Sequence, residues 1–120
     1  MDTSALMMPV ECGVRVFEEL DRLLGEVDPL APRPVLEELE SLAAGAGEEA
    51  TAARVGLDLS KRCEVRETDA GYADDAVLEL AVAEGAYAVT NDLPLRDRLL
   101  ESNVPVIGLR GRNTLAITEP

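Results

Sequence analysis

Two stretches of this chain carry carboxylates where they could do chemistry. Asp74 and Asp75 open the run Tyr72-Ala-Asp-Asp-Ala-Val-Leu-Glu-Leu-Ala81, and Asp92 closes the run Tyr87-Ala-Val-Thr-Asn-Asp92. The first run reads as a helix with Val77, Leu78, Leu80 and Ala81 on one face and two acids in its first turn, where the helix dipole favours negative charge. The second reads as a short buried strand ending in a turn. Acids aimed from separate elements at one sheet end repel one another in a low dielectric unless a cation lies between them. A hard divalent ion with oxygen ligands, magnesium or manganese, is the economical solution. Such an ion lowers the pKa of a bound water and neutralises a phosphodiester oxygen, which is hydrolysis without histidine.

Histidine is in fact absent. That removes His-based acid/base catalysis, Ser-His-Asp and Cys-His nucleophiles, and His-ligated zinc. Cys12 and Cys63 stand far apart with no CxxC and read as small apolar core residues. The 24 Asp and Glu outnumber 11 Lys and Arg, for a net charge of -13, and Lys61 is the only lysine. Such a surface repels phosphate at low salt. The acids are spread over the whole chain rather than gathered in a tail, as in proteins adapted to high salt, so the charge reports the solvent more than the ligand. With 120 residues and 47 % apolar content, the chain makes a single domain over residues 1–120, with a core of Leu, Val and Ala. No apolar run is long enough for a membrane span and no signal peptide stands at the front, so a cytoplasmic protein is expected.

The elements that must position these acids alternate along the chain. A helix over Val14 to Leu24 stops at Gly25; a very short strand lies within residues 27–32; and Pro34 begins a helix that ends at Gly45 and Gly47. A further helix covers Glu48 to Arg62, and Cys63 to Thr68 is strand-like. Beyond the Thr90-Asn91-Asp92 turn, a helix starts near Pro94, Val104 to Leu109 is an apolar strand, and Leu115 to Thr118 returns as an edge strand. This pattern predicts a parallel sheet covered by helices, with ligands at the carboxyl ends of its strands. Residues 1–9 read differently: Asp2-Thr3-Ser4 looks like the turn after a strand, followed by an apolar stretch with Pro9.

One residue in five is acidic, so number alone identifies no site. Asp2 precedes small hydroxyl residues and an apolar stretch, and Glu38, one position from Leu39, can look along the boundary of the core. Plainer readings stand beside these. Asp74 and Asp75 can be helix-capping residues, Asp92 can cap the helix after it, and Glu37 and Glu40 compete with Glu38. Thr90 and Asn91 can be turn formers only. Arg96, Arg98, Arg110 and Arg112 are the available phosphate contacts, or simply solvated surface.

Four ordered motifs, Asp-Thr-Ser-Ala-Leu from Asp2, Pro-x-x-x-Leu-Glu-Glu-Leu from Pro32, Ala-Asp-Asp-Ala-Val-Leu-Glu-Leu-Ala from Ala73 and Val-Thr-Asn-Asp-x-x-Leu from Val89, resemble a PIN domain, a metal-dependent ribonuclease. The likeness extends to the closing Val-Pro-Val-Ile-x-Leu-Arg and is greatest to single-domain archaeal PIN proteins, which are similar to VapC-type toxins and to PIN factors that process ribosomal RNA. The resemblance implies a three-layer α/β/α sandwich on a central parallel sheet, with acids binding one or two Mg²⁺ or Mn²⁺ ions. Asp2, Glu38, Asp74 and Asp92 match the family's four acids. Asp74 fits the third position better than Asp75, which is kept as a further metal-binding residue. Ser4, Thr90 and Asn91 fall where the family places polar groups that support the acids or contact phosphate. The expected activity is endoribonucleolytic, by in-line attack of water that leaves 5′-phosphate and 3′-hydroxyl ends. The expected partners are RNA, an antitoxin or a ribosome-assembly factor, and a second copy in a homodimer. Two alternatives are a PIN-fold module that binds RNA or protein without cutting, against which the four filled acidic positions weigh, and a phosphate-accepting receiver domain. The latter needs a lysine near the end of its sheet, whereas Lys61 falls in a helix.

One departure from the family pattern carries its own expectation. The first acid of a PIN domain follows a central hydrophobic strand, and here only Met1 precedes Asp2. Without that strand the sheet loses its middle and leaves backbone groups unpaired. The expectation is that codons just upstream encode some four to six apolar, β-branched residues in frame; a stop codon directly before Met1 refutes it.

Overall fold

The computed structural model describes residues 1–120 and alternates helices with short strands along the chain. Strand β1 (Leu30–Pro32) pairs in parallel with β2 (Glu64–Arg66), Leu30 opposite Glu64. Strand β3 (Ala88–Val89) pairs in parallel with β4 (Val106–Arg110), and β5 (Thr114–Thr118) returns antiparallel to β4. The architecture is α/β with parallel strands, as the alternation predicts, and the last strand lies antiparallel at the edge.

The strands form two separate sheets, with β1 in one and β3 in the other. Hydrogen bonds from the first two residues bridge them: the Met1 amine donates to the Leu30 carbonyl at 2.8 Å, and the Asp2 N–H donates to the Val89 carbonyl at 3.1 Å. Successive residues that bond to opposite neighbours do what a central parallel strand does. Behind them, between the two half-sheets, lies an apolar cavity of about 260 Å³ bounded by Met1, Leu30, Val77, Ala88, Val89 and Ile107. The Met1 amine is buried there, and burial lowers its pKa.

Six helices surround these strands: α1 (Thr3–Glu11), α2 (Val16–Leu24), α3 (Arg33–Ala43), α4 (Gly47–Ser60), α5 (Ala73–Glu84) and α6 (Leu93–Glu101). Helix stops and starts follow local chemistry. α2 ends at Gly25 with φ +74°, α5 ends at Gly85 in the left-handed region, and Pro34 and Pro94 occupy first-turn positions where no N–H is needed. α1 is a correction, since residues 3–11 read as a turn and an apolar stretch. Thr3, Ala5, Leu6, Met7 and Met8 are all buried. A helix buried on nearly every side has no polar face to give it a period, and Pro9 in its last turn argued against it. α5 departs in detail: its buried residues are Ala73, Ala76, Val77 and Ala81, with Leu78 and Leu80 only half-buried.

The core joins α1, α3 and α4, where Leu6 and Leu39 are fully buried. α4 approaches α1 at Gly56. A Cβ there would lie 3.0 Å from the Leu6 carbonyl oxygen and 3.2 Å from Leu39 Cδ2. Alanine in a helix interior gains about 1 kcal/mol over glycine, whereas overpacking costs about 1–3 kcal/mol, toward about 2–3 here because the Leu6 oxygen is backbone and cannot turn aside. Gly56→Ala is therefore expected to lose about 1–2 kcal/mol net in urea denaturation. A variant as stable as the wild type would contradict this close approach.

Candidate active site

Three helix N-termini bring acids to one side of the molecule. Asp2 is the N-cap of α1 and accepts the Ala5 N–H at 2.8 Å; Asp92 is the N-cap of α6 and accepts the Leu95 N–H at 2.9 Å. Asp74 lies in the first turn of α5, whose cap is Tyr72. The positive ends of three helix dipoles offset part of the repulsion among the carboxylates they carry. Capping and site-building are thus compatible for Asp2 and Asp92, and Asp74 is not a cap.

Asp2 is the hub. It is 3 % exposed, and its carboxylate accepts hydrogen bonds from the Thr90 hydroxyl and from Ser4 Oγ, the latter 2.9 Å from either oxygen. Each hydroxyl also accepts a backbone N–H, Ser4 from Asn91 at 2.8 Å and Thr90 from Asp92 at 3.0 Å. Two hydroxyls therefore relay the N–H groups of the β3–α6 turn onto Asp2, and a substitution at either should displace both the turn and the acid. For Asn91 the group in use is the backbone N–H.

Asp2, Glu38, Asp74 and Asp92 all line one open cavity of about 220 Å³. Glu38 is an exposed residue of α3 facing it. Asp75 is not part of this wall; its carboxylate bonds Arg98 Nη2 at 2.8 Å. Glu11 and Glu49 line the cavity and were missed by sequence reading. The signal for Glu11 is the spacing Thr3, Met7, Glu11, one face of a helix whose existence the sequence concealed; Glu49, in the first turn of α4, carries no such mark.

Charge in the cavity is already crowded. Burial, then the charges of Asp92 and Glu38, raise the Asp74 pKa. Burial pushes the Asp2 carboxyl up to about 6, against the lowering effect of the Thr90, Ala5 and Ser4 hydrogen bonds. No three acids are drawn together tightly enough to ligate one bare ion. Magnesium commonly keeps several waters and takes one or two carboxylates, so these hard oxygens around an open space fit a hydrated divalent ion. Softer metals lack their ligands here.

Residues 1–112 match the family model described as a PIN like domain. The chain belongs to the PIN-like family. Among its relatives is the ribonuclease VapC4 of Methanocaldococcus jannaschii, 30 % identical over 121 residues, which span 97 % of this chain and 92 % of that protein. Among solved structures, the PIN domain endonuclease Utp24 matches with a TM-score of 0.80 and 25 % identity over 99 % of this chain and 89 % of that one. The PIN resemblance seen in the four sequence motifs is thereby confirmed. The receiver alternative loses its lysine as well: Lys61 lies on the exterior, paired with Asp58 at 3.2 Å.

The buried Asp2 gives this PIN domain a pH signature. A carboxyl whose folded pKa is raised to about 6 has a charged form that burial disfavours; the cost is full above pH 6 and is relieved as pH falls toward the unfolded value near 4. Asp2→Asn retains an oxygen acceptor for Ala5 and cannot titrate. In metal-free protein, wild-type stability minus that of the variant is expected to rise by about 1 kcal/mol between pH 7 and pH 5, measured by urea denaturation. A flat difference curve would contradict the burial of this charge.

Proposed function

We propose that this PIN domain is a Mg²⁺- or Mn²⁺-dependent endoribonuclease. The observation that carries the reading is the convergence of Asp2, Asp74 and Asp92, from three helix N-termini, and Glu38 on one open cavity. Asp2, Glu38, Asp74 and Asp92 would hold the cation, which supplies charge for a phosphodiester oxygen and lowers the pKa of a water. The protein's own groups do the positioning. Ser4 and Thr90 fix the Asp2 carboxylate from one side and the β3–α6 turn from the other. Asp74, exposed on the cavity in the first turn of α5, is suited to orient the attacking water and receive its proton at a carboxylate oxygen. Asp75 serves instead to anchor Arg98 beside α5.

VapC4 is named a ribonuclease and Utp24 an endonuclease, which supports RNA as substrate. An antitoxin partner fits the first relationship, a role in RNA maturation the second, and either is compatible with a homodimer. No helix is long and apolar enough to cross a membrane. Because the net charge of -13 opposes polyanion binding, activity should be sought with Mn²⁺ at high salt. End-labelled single-stranded RNA is expected to be cut internally, leaving 5′-phosphate and 3′-hydroxyl ends, and EDTA is expected to stop the reaction. RNA that is bound and left whole would favour the non-cutting PIN module.

A further inference from the structure

A second, smaller cavity adjoins the acidic one across Asp92. It holds about 60 Å³, and Thr90, Asn91, Asp92 and Gly108 help to line it, with Arg96 and Arg110 as its cations. Its surroundings differ from the acidic cavity in sign, because none of the other acids named above reaches it. Arg96 Nε is buried and has no hydrogen-bond partner, and the only acid within 4.0 Å of its guanidinium is Asp97 at 3.4 Å, a long and partly exposed contact, while Asp92 shares the cavity without pairing to it. A guanidinium N–H held away from water without an acceptor is costly, and a phosphate oxygen is the acceptor that its planar fork fits best. Gly108 lets β4 pass close to the cavity wall at Thr90, since a Cβ there would lie 3.1 Å from the Thr90 carbonyl oxygen.

We propose that this cavity is a phosphate subsite, holding the RNA phosphate next to the one that is cut, with Arg96 and Arg110 as its contacts. The proposal rests on the nuclease reading and deepens it: the acidic cavity hosts the reacting phosphate through a cation, and the arginine cavity holds the neighbouring phosphate directly. In a chain with so few cations, two arginines on one small cavity beside the acids give the strand a register and a direction. They position substrate and take no part in bond breaking.

The subsite has two readouts. Arg96→Gln and Arg110→Gln are each expected to raise KM for single-stranded RNA about tenfold with kcat within about twofold, and to reduce the slope of log affinity against log salt by about one. Arg96→Lys should recover part of the loss. Arg15→Gln, which removes the same charge from the exposed residue just before α2, should change none of these. The second readout needs no cleavage. The Arg96 Nε–Hε resonance of the wild type is followed by NMR during titration with the 5′-phosphorylated dinucleotide pUpU and, separately, with inorganic phosphate. A shift with pUpU that Arg110→Gln weakens supports the subsite, and a shift with both probes assigns it to phosphate in general. Cleavage by the wild type with Arg96→Gln behaving as Arg15→Gln overturns the subsite and leaves the nuclease standing. If the wild type does not cut, the NMR titration alone decides the subsite, and an unmoved Arg96 resonance overturns it.

Discussion

Asp74→Asn combined with Asp92→Asn is expected to lower kcat for RNA cleavage by at least about a thousandfold, roughly 4 kcal/mol of barrier, while the protein melts no lower than the wild type. The two halves of that result have separate causes. Asparagine keeps an oxygen at position 92 to accept the Leu95 N–H, so the cap of α6 survives. Asp74 is a destabilised charge, raised in pKa by burial and by Asp92 and Glu38, and neutralising it relieves the metal-free fold. What disappears is the ability to hold a divalent cation. Mn²⁺ at a hundred times its dissociation constant should stabilise the wild type by about 2.7 kcal/mol through linkage and leave the double variant unmoved. A variant that still cuts within tenfold of the wild type would remove these acids from the chemistry.

The second large effect is expected at Asp2. Asp2→Ala deletes the cap of α1 and strands the Ala5 N–H and the Thr90 and Ser4 hydroxyls in a region where Asp2 itself is buried. Loss of the cap, which is the bond to the Ala5 N–H, costs about 1 kcal/mol, and the buried Thr90 hydroxyl left without its acceptor adds about 1–3. A net loss of about 2–4 kcal/mol is expected in urea denaturation, together with loss of cleavage. Asp2→Asn separates the two roles, since it keeps the cap oxygen and removes the charge. That variant should fold and fail to cut. Were Asp2→Ala to cut as well as the wild type, the hub assigned to this residue would be wrong.

Much of the site was legible because its geometry follows from local rules. Asp92 precedes a helix with proline in its first turn, and Asp74 opens a helix between two strands; both positions follow from capping and alternation. Asp2, Glu38, Ser4 and Thr90 needed the family likeness, because neither a hydroxyl that bonds across 88 residues nor an acid on the far side of a helix leaves a periodic trace. α1 was illegible since burial on nearly every side erases amphipathic period, and Glu11 and its place in the cavity were hidden with it. Asp75 was misplaced by its neighbour: two adjacent acids on a helix point about 100° apart, so only one could face the cavity, and Arg98 took the other.

The central claim is that acids remote in sequence serve one cation. Crystals soaked in Mn²⁺ and measured for anomalous scattering test it with the fewest intermediate steps. The expected result is a peak in the acidic cavity, about 2.0–2.3 Å from carboxylate oxygens of at least two of Asp2, Glu38, Asp74 and Asp92, with waters completing the shell. A fully soaked crystal with no peak in that cavity, or with manganese bound only to surface acids elsewhere, would contradict it.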